Sequence, residues 1–386
     1  AASYLTEANS ITVDNGSGSA AVTAQDGAIL AGFTADVEFD VVDDVSDLKA
    51  IMGQNDAASY LTEANSITVD NGSGDRVVGA QDGAILASFT ADVDFDVVAT
   101  ADEIAAELTG SIAPGTGVNS LDEAADVVVS GGDVDAEDAA AIMQISGYNT
   151  GGSQFEITDD VASVISAGTG VIENGGVSKV EVTGVADVSE GVALNTYTSN
   201  VEFDVSDTAD NIATYVNQLT EADDVFVVSG DVSISEAQSI QSLGGYNASG
   251  STYEIEDSAA NITASNDQLM QNGTIKVDVT DTDVNASIGN TLAAFTADIE
   301  FDVSDTAANI AAQIAAGNGT NGTGYGADSL EDAGSVVVES GSAVLASQAE
   351  SIQDLVNYSG GDIDITDSAA NLISAGDHVL NVTGVD

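Results

Sequence analysis

The sequence has no cysteine, no tryptophan and only four basic residues. Without cysteine there is no disulfide framework and no thiolate site, so a secreted form would take its stability from packing or from bound metal. Aromatic residues make up 5% of the chain, which leaves Val, Ile, Leu and Ala to fill any interior. Small side chains of that kind suit thin, regular layers. The four cations are Lys49, Arg76, Lys179 and Lys276, set against 65 carboxylates, for a formal net charge of -61. Nucleic acid and anionic lipid would be repelled, and no basic patch offers them a site. There is no run of about 20 apolar residues to span a membrane, and no signal peptide is recognisable. The single histidine, His378, has no repeated partner. No serine sits in a nucleophile-elbow context, and no glycine-rich loop has phosphate-binding spacing with its lysine. Catalysis is therefore not expected.

What the chain has in abundance is self-similarity. A ten-residue phrase, clearest as Phe301-Asp-Val-Ser-Asp-Thr-Ala-Ala-Asn-Ile310, occurs in copies that start at Phe39, Phe95, Phe155, Phe203, Tyr253, Phe301 and Ile363. Residues 1–18 recur without change at 57–74, and later copies follow one another at 48 to 62 residues. Such a pattern marks stacked units rather than a globule around one pocket. The variable spacing puts insertions in loops at one edge, above all 110–120 and 317–327, both rich in Gly, Asn and Thr. The first residues already belong to a repeat, and an eighth Val-rich strand begins at Leu380-Asn-Val382. The expectation is one continuous array over 1–386, a fragment of a longer chain.

Each repeat holds two coils. In the acidic-strand coil, Asp36-Val-Glu-Phe-Asp-Val41 places Val37, Phe39 and Val41 on one face and Asp36, Glu38 and Asp40 on the other. The period then lengthens, and Ala307, Ile310 and Ile314 recur at helical spacing. Asp305 stands where an N-cap belongs, able to accept a backbone N–H bond. Asp43, Asp159, Asp207, Asp257 and Asp367 fill the same position; only Ala99 breaks the series, with Thr100 beside it as a substitute. The second coil opens on a Val-rich strand such as Val225-Phe-Val-Val228 or Ile275-Lys-Val-Asp-Val279, and a short segment of helical spacing follows, such as 235–243 or 347–355. One strand plus one short helix in roughly 24–30 residues is the size of an α/β solenoid coil. The expected fold is therefore an α/β solenoid of parallel strands with right-handed crossovers. The alternative is a parallel β-helix in which the Ala-rich segments are strands or turns; Ala and Asn are poor strand formers, which ranks it second.

Stacking would line up the outward carboxylates. One row would hold Glu38, Asp94, Glu156, Glu202, Glu254, Glu300 and Asp362, and a second Asp40, Asp96, Asp204, Asp302 and Asp364. Intervening Val-rich strands would space the members of a row at about 9.6 Å, twice the strand separation, which eases like-charge repulsion. Two readings stay open. The carboxylates form a solvated, salt-screened surface, or they bind a divalent cation, most plausibly calcium, through roughly six to eight oxygen ligands. On the second reading the candidate ligands are Asp43, Asp159, Asp207, Asp257, Asp305, Asp367, Glu202, Asp204, Glu300 and Asp302. Asp281-Thr-Asp-Val-Asn285 opens like an EF-hand loop, but Ala286 replaces the turn glycine and Leu292 the closing glutamate, which rejects that motif. If the protein is exported by a glycosylating cell, Asn318 and Asn321 are the expected acceptors among its Asn-X-Ser/Thr sequons.

The phrase Ser304-Asp-Thr-Ala-Ala-Asn-Ile310, with 206–212 and 366–372, resembles repeats of very large acidic bacterial surface and secreted proteins, among them giant adhesin-like, haemolysin-type calcium-binding and surface-layer-like proteins. The glycine-and-aspartate nonapeptide of calcium-binding β-rolls is absent. The resemblance implies export, often by a type I route, and a place on or outside the cell. The expectation is a non-enzymatic structural protein that self-associates, head to tail or laterally, into a filament, surface layer or matrix. The alternative is the stalk or ligand-binding region of an adhesin, with a cell-surface glycan as partner.

Overall fold

The computed structural model describes residues 11–16, 19–33, 36–52, 63–88, 92–110, 121–198, 200–317, 330–341, 343–376 and 379. His378, Asn318, Asn321, the strand expected at 380–382 and nearly all of both expected edge loops lie outside them. The protein is an α/β structure of short parallel strands with helices between them. It divides into two units, residues 1–185 with 196–203, and 186–195 with 204–386.

In the first unit, Asp40–Asp43 lies between Ala21–Val22 and Ser66–Val69, and Ser66–Val69 pairs onward with Val93–Asp94. A second run goes from Val77–Val78 through Asp96–Ala99, Asp126–Val134 and Gln154–Asp160 to Val177–Ala186. In the second unit, 205–207 pairs with Val225–Val227; Asp231–Val232, Tyr253–Asp257, Thr274–Val279 and Ile299–Glu300 follow one another; and Val303–Thr306, Val336–Glu339 and Tyr358–Gly361 do the same. Every one of these ladders is parallel, and every one joins an acidic strand to a Val-rich strand. The two kinds of segment therefore alternate in space as they do in sequence.

The period-two pattern decides what is inside. Val37, Phe39 and Val41 are buried, while Asp36 and Glu38 are exposed and Asp40 is half-buried. The aromatic of the phrase is buried in each copy: Phe39, Phe95, Phe155, Phe203, Tyr253 and Phe301, with Ile363 in the last. Opposite them lie helices with small inward residues. A Cβ added to Gly289 would stand 2.8 Å from a Val303 methyl and 3.3 Å from the Phe301 ring, so this helix position is glycine because the next strand's large side chains fill the space.

The Ala-rich segments are helices: Val45–Met52, Ala101–Gly110, Val161–Ala167, Ala209–Tyr215, Ala259–Ala264, Ala307–Gly317 and Ala369–Ala375. That choice departs from the β-helix alternative, which needs them as strands or turns. Ala307 and Ile310 are buried as their spacing predicts, whereas Ile314 is only half-buried. Among the described residues no helix is long and apolar enough to cross a membrane.

Candidate functional site

The recurring aspartate of the phrase is the residue on which the segments meet. In the second unit Asp257 ends its strand and the Ala259–Ala264 helix follows. One of its oxygens, Oδ1, accepts from the Ser258 backbone N–H and from the Asn261 side-chain amide, each at 2.7 Å. The other, Oδ2, accepts at 3.0 Å from the backbone N–H of Ile234, the first residue of the helix in the preceding segment. One carboxylate thus closes its own turn and also supplies an acceptor to a neighbour's helix N-terminus, where four N–H groups lack intrahelical partners.

The same arrangement recurs copy by copy. Asp207 accepts from Thr208, Asn211 and Val188, and Asp305 from Thr306, Asn309 and Ala286. Asp367 accepts from Ser368, Asn371 and Ala346. Asp43 and Asp159 lack the asparagine but keep both backbone bonds, Asp43 from Asp44 and Ala24, and Asp159 from Asp160 and Ala136. Two Val-rich segments use the device in the other direction of alternation: Asp281 accepts from Ala259 N–H at 2.6 Å and Asn71 from Val45 N–H at 3.1 Å. Asp281 is the residue that opens the EF-like stretch, and the stretch closes on Asn285, the N-cap of the Ala286–Leu292 helix.

This corrects the capping assignment by one position. The N-caps are Asp160, Thr208, Ser258 and Ser368, each one residue beyond the recurring aspartate. Their side chains accept from the third helical N–H, as a cap must. Asp44 and Thr306 accept in the same way from Asp47 and Asn309. In the copy lacking the aspartate, Thr100 does this too, accepting from Glu103 N–H, so it is the ordinary cap and no substitute. The aspartate is free to reach sideways because its neighbour does the capping.

The electrostatics follow from these bonds. Burial pushes the Asp257 carboxyl up, but the Asn261 amide and the N–H groups of Ile234 and Ser258 outweigh it and hold the group below the usual carboxylate range. Asp207 is held low in the same way, its burial overcome by Asn211, Val188 and Thr208. The Asn371 amide and the Ser368 N–H lower Asp367. Each is a carboxylate kept ionised by N–H donors.

The outward rows are arranged otherwise. Glu38, Asp94, Glu156, Glu300 and Asp362 are exposed, and Glu202 and Glu254 half-exposed. On one side the intervening strands set threonine or lysine against four of them, Thr12 opposite Glu38, Thr68 opposite Asp94, Lys179 opposite Glu156 and Lys276 opposite Glu254, while Asp133, Asp231 and Asp278 stand opposite Glu156, Glu254 and Glu300. Lys179 also pairs with Glu202 at 2.8 Å, and Lys276 with Glu300 at 2.8 Å and Asp278 at 2.9 Å. Glu300 and Asp278 hold the Lys276 ammonium above its ordinary range. Arg76 bonds Asp94 and reaches Asp96 at 3.3 Å, and Lys49 pairs with Asp82. Few as they are, three of the four cations sit in Val-rich segments against the rows, where like charge is densest.

Of the ten candidate metal ligands, the six recurring aspartates bind N–H groups, and Glu202 and Glu300 bind lysines. Asp204 accepts from the Asp224 N–H and Asp302 from the Ser335 hydroxyl. The ten are not brought together into one site. Among the described residues one group of three carboxylates has oxygens within 4.8 Å of one another, Asp43, Asp44 and Asp47. Two of its members carry internal donors: Asp43 binds Ala24 and Asp44, and Asp44 binds Ser46 and Asp47. Asp44 and Asp43 together raise the Asp47 carboxyl.

Sequence reasoning missed the asparagines. Asn211, Asn261, Asn309 and Asn371 each stand four residues after the aspartate they bind, and that spacing was present in the phrase. The sequon amides of Asn71, Asn247, Asn261 and Asn272 likewise donate to internal acceptors. No family model matches this chain, and comparison with curated proteins finds no match.

Proposed function

We propose that this chain is an extracellular structural protein, an α/β solenoid that self-associates into a filament, surface layer or matrix and is stabilised by cations in the surrounding medium. The observation that carries the reading is the recurrence of one aspartate-to-helix bond at equivalent positions along the sequence. A chain whose segments are held each to the next is built to extend, and it spends its side chains on contacts between neighbours rather than on a reaction site. Open parallel sheets also present strand edges that a second copy can continue. The outward carboxylate rows supply the acidic skin that the resemblance to bacterial surface proteins leads one to expect.

Electron microscopy of the purified chain tests self-association. Ordered polymers are the expected result. Isolated monomeric rods would overturn it in favour of an adhesin stalk that displays a glycan-binding region.

Calcium is proposed to act on the outward rows, since the recurring aspartates are taken up by N–H donors. Melting temperature is expected to rise by several degrees on going from chelator to millimolar calcium. Sodium chloride at matched ionic strength should reproduce only the part due to screening. An unchanged melting temperature, or one that sodium matches fully, would remove calcium from the proposal.

A further inference from the structure

We infer that, among the helices that follow Val-rich strands, Ala80–Ala87 opens most readily, at the seam where it meets the strand Asp96–Ala99. Seven helices follow Val-rich strands in the described residues: Ala24–Ala31, Ala80–Ala87, Ala136–Met143, Val188–Leu194, Ile234–Gln241, Ala286–Leu292 and Ala346–Gln353. Six of them receive the bond from the next segment's aspartate, Asp43, Asp159, Asp207, Asp257, Asp305 or Asp367. Five of those six also carry a side-chain N-cap of their own, from Thr23, Asp135, Asp187, Ser233 or Asn285. The sixth, Ala346–Gln353, has Gln348 bonding back to the Leu345 N–H.

Helix 80–87 has neither device. Its N-cap is Gly79, with no side-chain bond, and the residue in the aspartate's place is Ala99. Its sequence, Ala80-Gln-Asp-Gly-Ala-Ile-Leu-Ala87, is the same as that of helix 24–31, so intrinsic helix propensity is equal in the two; helix 80–87 buries Leu86 as well and pairs Asp82 with Lys49, but its N-terminus lacks both bonds. Two further features fall in the same segment. Asp96 Oδ1 is buried without a hydrogen-bond partner, although Arg76 reaches the other oxygen at 3.3 Å. The corresponding oxygen of Asp40 is met by the Ser66 hydroxyl at 2.8 Å. Ser73, just upstream, holds a φ of 61°, the one positive φ outside glycine among the described residues.

The lost neighbour bond is worth a factor of roughly five or more in local opening, whereas glycine in place of a threonine cap changes it by no more than about twofold. Stability in a stacked chain is a sum over neighbours, so a deficit at one contact is felt there first.

The test is native-state hydrogen exchange on the full chain. Amides of 80–87 are expected to exchange at least about fivefold faster than those of 136–143 and 234–241. Equal or greater protection at 80–87 would overturn the inference. Gly79→Thr and Ala99→Asp, singly and together, supply the missing groups. Gly79 has extended backbone and a Cβ there would meet nothing within 4 Å, so threonine, the residue at the equivalent position 23, enters without strain. Ala99→Asp is expected to slow exchange at 80–87 by about fivefold or more, Gly79→Thr by no more than about twofold, and both to leave 234–241 unchanged. Unchanged exchange at 80–87 in folded Ala99→Asp would also overturn the inference, and if that variant does not fold the comparison of 80–87 with 136–143 decides it.

Discussion

Asp257→Ala is expected to destabilise the second unit by about 2–4 kcal/mol, read as a fall in the denaturant midpoint. The substitution removes three bonds to an ionised acceptor and leaves the Ile234 and Ser258 N–H groups and the Asn261 amide without it. Hydrogen bonds to charged groups are worth roughly 1.5–3 kcal/mol each, and partial access of water to this half-buried site keeps the sum below full additivity. Glu256→Ala, one residue away on the exposed face, serves as the control and should shift stability by no more than about 0.5 kcal/mol. Asp257→Asn should fall between them, because it keeps one acceptor oxygen and turns an NH₂ group toward an N–H. The pH dependence adds a second reading. The folded carboxyl titrates below its unfolded value of about 3.9. Its contribution is therefore complete above that value and is lost as pH falls through the lower folded value. The gap between wild type and Asp257→Ala should stay constant from about pH 7 to pH 5 and close below about pH 4. A midpoint unchanged by Asp257→Ala would show that the carboxylate merely lies between the segments without holding them.

Phe155→Ala is expected to cost about 4 kcal/mol in the first unit. The ring is 1% exposed and belongs to a strand paired on both sides, to Asp126–Val134 and Val177–Ala186. Truncation of a buried phenylalanine loses the transfer free energy of the ring and leaves a cavity that the paired backbones cannot collapse to fill, at about 3–5 kcal/mol. Phe155→Leu keeps most of the volume and should cost less than half as much. The residue it faces along the strand, Ile157, is also fully buried, so the two positions are expected to couple in a double-mutant cycle. A loss below about 1 kcal/mol would mean that the aromatic of the phrase is not what fills the interior.

The alternation of buried and exposed residues was legible because a strand repeats every two residues and the chain repeats the strand. Val37, Phe39 and Val41 needed no partner to be assigned. The helices were legible from Ala307 and Ile310 for the same reason. The role of the recurring aspartate was not. Asp257 and Ser258 are adjacent and both can cap a helix, so local chemistry could not choose between them. The choice is made by Ile234, more than twenty residues upstream, whose N–H is brought to Asp257 only by strand pairing. The partners of the candidate metal ligands were hidden for a related reason. Counting carboxylates shows acceptors, but one donor to Asp207 or Asp305 is a backbone group of another segment and carries no mark in the sequence, while the asparagine four residues on was there to be read. Glu202 and Glu300 could have been separated from the rest, because Lys179 and Lys276 lie in the Val-rich strands next to them.

The bond from each aspartate runs backward, from a later segment to an earlier helix. Val188 waits for Asp207, Ile234 for Asp257 and Ala286 for Asp305. A chain emerging amino-end first from a ribosome therefore carries its most recent helix of this kind with its own cap alone until about twenty further residues have come out. Consolidation trails emergence by one segment. The growing tip is always the least settled part, and what has already passed is locked by what comes after.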